Sequence, residues 1–141
     1  MATTSAFVPI GTLLQLGNAA SPEVFATIAE VTGLKLTPSK QDKVDATNMG
    51  SPNGFREFIA GLRDASDVDV TANFIPADTQ QIAVNTSFTA GAKHNWKIVL
   101  PSSLGTFSFA GFVDAVGWNL DFSKQGEVTF KIFTTGQVTL A

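Results

Sequence analysis

The sequence predicts a mainly β protein with one α-helix, and three observations predict it. Val, Ile, Thr, Phe and Trp supply roughly a third of the 141 residues, a composition that suits pleated, half-buried surfaces. Apolar and polar side chains alternate with a period of two in three separate stretches, the signature of strands with one face on a core. One segment carries well-formed start and stop signals for a helix.

In chain order, Phe7 to Leu16 is the first strand candidate. Ser21, Pro22 and Glu23 then precede Val24, Phe25, Ile28 and Val31, with Gly33 beyond, which reads locally as a capped helix. Leu36 to Gly54 is rich in Thr, Pro, Ser, Asn, Asp and Gly and reads as a long loop with a brief strand around Lys43 to Ala46. Phe55, Phe58, Ile59 and Leu62 again fall at helical spacing. From Asp67 to Phe74 the alternation is clean: Val68, Val70, Ala72 and Phe74 share one face, and Asp67, Asp69, Thr71 and Asn73 the other.

Asp78 can cap a helix, with Gln81 three residues on as its capping-box partner. Ile82, Val84 and Phe88 supply apolar positions and Gly91 an end, so a helix is expected over about 78–90. Strands are expected at Trp96 to Leu100 and Thr106 to Val113. Two more follow: Gly117 to Ser123, with Trp118, Leu120 and Phe122 on the core face, and Glu127 to Phe133, with Val128, Phe130 and Ile132 inward. Lys124, Gln125 and Gly126 join them as a short hairpin.

The length allows one domain over residues 1–141. There is no cysteine, which excludes disulfides, thiolate metal sites and cysteine catalysis. The stretch from Met1 to Phe7 lacks the basic n-region of a signal peptide, and no apolar run approaches the roughly 20 residues of a membrane helix, so no membrane anchoring is expected. Charged residues make up only 15% of the chain, against about 25% in ordinary soluble domains. Mean hydropathy is +0.18. Both values suit a surface partly covered by other copies; a Thr- and Asn-solvated surface would read the same way.

Net charge is −3, which argues against stable nucleic-acid binding through clustered Lys and Arg. The acidity sits in the middle, where Asp42, Asp45, Glu57, Asp64, Asp67, Asp69 and Asp78 outnumber Lys43, Arg56 and Arg63. The catalytic inventory is thin. The single histidine, His94, reads as a solvated turn residue, and no G-x-S-x-G or phosphate loop occurs. Asp64, Asp67 and Asp69 do not match a calcium loop. Gly105, Gly111 and Gly117 interrupt a strand-rich stretch and read as bulges or close backbone approaches. No cofactor, metal or catalytic residue is expected, and the 12 phenylalanines are assigned to core and interface packing.

Three pieces in order carry a resemblance. They are Gly54-Phe-Arg-Glu-Phe-Ile-Ala-Gly-Leu62 before the acidic strand 67–74, the 78–91 helix leading into Trp96-Lys-Ile-Val-Leu-Pro101, and the meander Thr106 to Thr135 opening on Phe109-Ala-Gly-Phe-Val113. Over roughly residues 10–140 this arrangement resembles the tail tube proteins of long-tailed bacteriophages. The resemblance implies a β-sandwich or partly closed barrel flanked by one helix. It implies hexameric rings that stack into the tube, a virion component assembled in the host cytoplasm and delivering DNA. Implied partners are other copies of the chain, the tape measure, tail terminator and tail-tip proteins, and DNA in non-adhesive passage. It further implies an N-terminal arm over about 1–17 and an interface loop over about 36–54. Phe7, Ile10, Leu13, Lys43, Asp45, Asn48, Met49 and Phe55 are then the expected interface residues. Asp67, Asp69, Thr71 and Asn73 form the expected lumen face, polar and net negative. Under the same resemblance Val24 to Val31 becomes a strand and Arg56 to Leu62 extended or irregular.

Two rivals remain: a type VI secretion ring protein of the same fold, and a monomeric β-sandwich binding module. The latter would need an exposed aromatic platform, for which Trp96 and Trp118 are the candidates, both at strand positions typical of core.

Overall fold

A computed structural model describes residues 4–18 and 20–141. Nine strands and one helix follow one another as β1 (Leu13–Gly17), β2 (Phe25–Thr27), β3 (Val31–Leu36), β4 (Lys40–Asp45), β5 (Phe58–Asp64), β6 (Val68–Asn73), α1 (Thr79–Ala90), β7 (Lys93–Val99), β8 (Thr106–Asn119) and β9 (Glu127–Leu140). Seven strands form one antiparallel sheet in the order β2-β1-β7-β8-β9-β6-β3, and β4 and β5 form a separate two-stranded ribbon.

The two outermost strands of the large sheet, β2 and β3, are separated in sequence only by Ile28 to Glu30. Four residue steps span at most about 14 Å, so the sheet must curl until its edges approach. Of the two forms the resemblance implied, a β-sandwich or a partly closed barrel, this curled sheet is the second. It is not hydrogen-bonded shut. The crossover is held from both sides: Ile28 N–H donates to the Leu14 carbonyl at 2.9 Å and Asn73 N–H to the Glu30 carbonyl at 3.0 Å.

The concave face is the core. Leu14, Leu16, Ile28, Val68, Val70, Val84, Trp96, Ile98, Phe109, Val113, Phe130 and Ile132 form one buried cluster. On β6 the alternation holds, with Val68, Val70 and Ala72 buried and Asp69, Thr71 and Asn73 on the other face. Trp96 is buried in this cluster, its ring 6.4 Å from that of Phe130 on β9 and its indole N–H donating to the Gly111 carbonyl on β8 at 3.3 Å. Gly111 is glycine because a Cβ there would stand 2.5 Å from the Phe133 carbonyl oxygen.

Helix α1 matches expectation at its ends: Asp78 accepts from Gln81 N–H at 3.2 Å, and Gly91 terminates it at φ 64°. The capping box does not close. The Gln81 side chain instead turns into the core, donating to the Ala29 and Asn73 carbonyls and accepting from Ile75 N–H. Asp78 also accepts from Ala29 N–H at 3.3 Å. The helix start therefore grips both backbone groups of Ala29, the middle of the crossover. Asp78→Ala should cost about 1–3 kcal/mol, a lost cap plus an unpaired part-buried donor. A urea midpoint lowered at constant slope is the expected result; a loss below roughly 0.5 kcal/mol would contradict the clasp.

Other expectations need correction. The Phe7 to Leu16 strand begins only at Leu13, because Pro9 lacks a donor and Gly11 takes φ 92°, turning the chain. Val24 to Val31 is not one strand: β2 ends at Thr27 and β3 starts at Val31, with Glu30 at φ 52° between them. The long loop over 36–54 is largely the ribbon strand β4 and its tip, longer than the brief strand expected at Lys43 to Ala46. Strand β8 stops at Asn119, so the strand expected over Gly117 to Ser123 holds only for its first three residues, and Lys124 to Gly126 is only part of a seven-residue turn between Asn119 and Glu127. His94 is not a solvated turn residue. It lies on β7 with Nε2 2.7 Å from Ser87 Oγ. The Ser87 hydroxyl donates to the Ala83 carbonyl, which leaves the imidazole Nε2–H to donate to Ser87 and ties α1 to the sheet.

Candidate assembly surfaces

The convex face of the large sheet carries Asp67, Asp69, Thr71 and Asn73 in one row, all partly exposed. Their cross-strand neighbours decide its electrostatics. Asp69 stands opposite Lys35 on β3 and Lys131 on β9. Asp67 pairs with Lys131, Nζ to Oδ2 3.5 Å. Thr71 faces Thr129, and Asn73 faces Glu127. Two lysines and three carboxylates thus alternate over this patch, and each lysine has an acid directly beside it. Further along the same face Phe112 and Phe133 are paired across β8 and β9, 36% and 53% exposed.

The β4–β5 ribbon is the second surface. Cross-strand pairs put Val44 with Ile59 on one face and Lys43, Asp45, Phe58 and Ala60 on the other. Lys43 Nζ lies 5.8 Å over the Phe58 ring. Neither face is covered. Val44, Phe58, Ile59 and Leu62 are all exposed, Leu62 by 83%. Asn48 shapes the tip by accepting from Gly50 N–H at 2.8 Å, with Met49 and Phe55 projecting beside it. Thr47 donates to Asp45 Oδ1, and its hydrogen bonds hold the Asp45 carboxyl below the usual carboxylate range.

The third surface lies at the two ends of β8. At one end the N-terminal segment, with Phe7, Ile10 and Leu13 exposed, borders an apolar cavity of about 550 Å³. At the other end Trp118 is 48% exposed, Leu120 70%, and Phe122 wholly exposed. These three were expected on the core face. The backbone leaves the sheet after Asn119, and Asp121 accepts from Ser123 N–H and Oγ, a turn that points Phe122 outward. Trp96, by contrast, is core, as its strand position implied.

All eight expected interface residues are exposed or, for Leu13, 41% exposed, but they fall on two separate regions, the N-terminal segment and the ribbon. Sequence reasoning missed Val44, Ile59 and Leu62 as surface residues, because Phe58, Ile59 and Leu62 also fit a buried helical stripe. The signal that could have found them is the Gly61 between them, whose Cβ would press on Asp42 at 3.2 Å across the ribbon.

A family model described as the lambda phage tail tube protein matches residues 10–141. No curated protein matches the chain in sequence. Among solved structures, the tail of an empty gene transfer agent particle refined with C6 symmetry is similar at 19% identity and TM-score 0.77, covering 96% of this chain and 99% of that one. The SPP1 tail tube is similar at 15% identity and TM-score 0.64, covering 89% and 72%. The sheath-tube complex of an extracellular contractile injection system matches at 11% identity and TM-score 0.72, covering 97% and 93%. At these identities the structural likeness speaks for the fold.

Proposed function

We propose that this chain, which belongs to the lambda phage tail tube protein family, polymerises as stacked hexameric rings into the conduit through which DNA leaves the virion. It is a structural tail component rather than an enzyme. No helix among the described residues is long and apolar enough to cross a membrane.

The observation that carries the ring-and-tube reading is the ribbon. A two-stranded ribbon is marginal in water by itself, and this one exposes Val44, Phe58, Ile59 and Leu62 with nothing of its own chain upon them. Exposed apolar surface of that kind marks an interaction site, and in this reading a neighbouring copy covers it. The two sheet edges, β2 and β3, offer unpaired backbone groups to further neighbours in a ring. Phe7, Ile10 and Leu13 join Lys43, Asp45, Asn48, Met49 and Phe55 as contacts within and between rings. Tape measure, terminator and tail-tip proteins would meet the same surfaces at the ends of the tube, which assembles in the host cytoplasm.

Asp67, Asp69, Thr71 and Asn73 face the lumen in this reading. The physical argument is that Lys131 is ion-paired with Asp67 and that Lys35 stands in register with Asp69. A lysine with a carboxylate beside it is a poorer ligand for phosphate, so DNA slides without gripping. Negative-stain electron microscopy over a concentration series tests the polymer: uniform hollow tubes or stacking rings are expected, and a persistent monomer would count against the reading. Asp67→Lys with Asp69→Lys tests the lumen. Tubes of the double variant should retain duplex DNA at low salt and release it as salt rises, whereas unchanged DNA passage would rule this face out.

A further inference from the structure

We propose that Phe122 of one copy seats in the apolar cavity beside the N-terminal segment of the next copy along the tube axis. The inference rests on the tube reading above and names the contact that stacks one layer on another.

The knob is built. Asp121 Oδ1 receives both Ser123 N–H at 3.0 Å and Ser123 Oγ–H at 2.9 Å, and Phe74 N–H donates to the Gly126 carbonyl at 2.8 Å. The turn is thus fastened at two points while Phe122 stands clear of its own chain, with Leu120 beside it 70% exposed. A wholly exposed phenylalanine gains nothing within its own fold; it gains about 150–250 Å² of burial on entering a pocket.

The hole is also built. Val8, Ile10, Leu34, Leu36, Ile98 and Phe107 line a cavity of about 550 Å³ between β3 and residues 8–12. That is the size range of pockets that enclose organic groups, and it has room for Phe122 and Leu120 together. Its lining contains no charged side chain.

Position selects the occupant. Phe107 and the neighbouring Leu100 mark the start of β8, while the Phe122 turn follows its end. The strand has 14 residues, which places the knob and the floor of the hole on the order of 40 Å apart along it. Two different, complementary patches at opposite ends make a heterologous contact, which repeats along an axis without closing.

The chain has no cysteine, so an introduced pair reports without interference. Phe122→Cys combined with Ile10→Cys, at the exposed cavity mouth, should give a ladder of disulfide-linked oligomers on oxidation of assembled protein. Neither single variant should give one. Dimers from Phe122→Cys alone would mean that the knob meets its own copy and would overturn the proposal. As a second arm, Phe122→Asp should raise the concentration needed for tubes at least about tenfold. Ile10→Asp should do the same, and mixing the two should give stacks of two layers, since only one productive contact remains. If wild-type protein forms tubes and Phe122→Asp forms them equally, the knob proposal falls and the tube reading stands. If wild-type protein forms neither rings nor tubes, the tube reading itself falls.

Discussion

Val44→Asp with Ile59→Asp is expected to abolish tube formation while leaving the seven-stranded sheet folded. The two side chains are cross-strand partners on one face of the β4–β5 ribbon, 47% and 58% exposed. Covering the exposed halves of a Val and an Ile against a neighbour contributes about 0.7–1.5 kcal/mol each. Losing both therefore raises the concentration needed for assembly by roughly 10–10²-fold, at about 1.4 kcal/mol per decade. Desolvating two carboxylates in the contact adds to that. The monomer should not notice, because the ribbon packs on no strand of the large sheet to any extent. Light scattering or electron microscopy reads the loss, and far-UV circular dichroism with a thermal melt reads the fold. Tubes at wild-type concentration would show that this face stays in solvent, and the ribbon would lose its part in assembly.

Trp96→Ala should have the opposite profile, striking the fold before the polymer. The indole is 1% exposed at the centre of the concave face, packed on Phe130 and hydrogen-bonded to the Gly111 carbonyl. Removing a buried Trp costs about 3–5 kcal/mol. For a chain of this length that corresponds to a melting temperature lower by roughly 10–15 °C. Against a total of about 5–15 kcal/mol it brings the monomer near unfolding. Trp96→Phe keeps most of the ring and loses only the N–H donor, so it should lie well short of that. A melt within about 3 °C of wild type for Trp96→Ala would mean that the sheet is not curled around this side chain.

The two variants separate the layers of information in this chain. Its core face was legible wherever pattern and burial are local. Val68, Val70 and Ala72 alternate with Asp69, Thr71 and Asn73, and the strand they define could only bury the apolar set. The ends of α1 were legible too, since Asp78 and Gly91 act within one turn of themselves. Composition by itself also showed a chain sparse in charge, which suits an exterior partly covered by other copies and a Thr- and Asn-solvated one alike.

What only the tertiary structure decided are the features that depend on a distant partner. Trp118, Leu120 and Phe122 keep the same alternation as β6, yet only Trp118 is still on β8, paired with Val128, while Leu120 and Phe122 lie beyond the strand in the turn. Phe58, Ile59 and Leu62 look like core by spacing and are surface, because β5 found β4 and nothing else. Gln81 was read as half of a cap and became the bolt of the crossover, since Ala29 lies 52 residues away and no local pattern announces it. His94 was read as solvated and instead reaches Ser87 across the helix–sheet boundary. Local sequence sets which face of an element is apolar. Whether that face meets its own chain, another copy or water follows from which elements the curl of the sheet brings together.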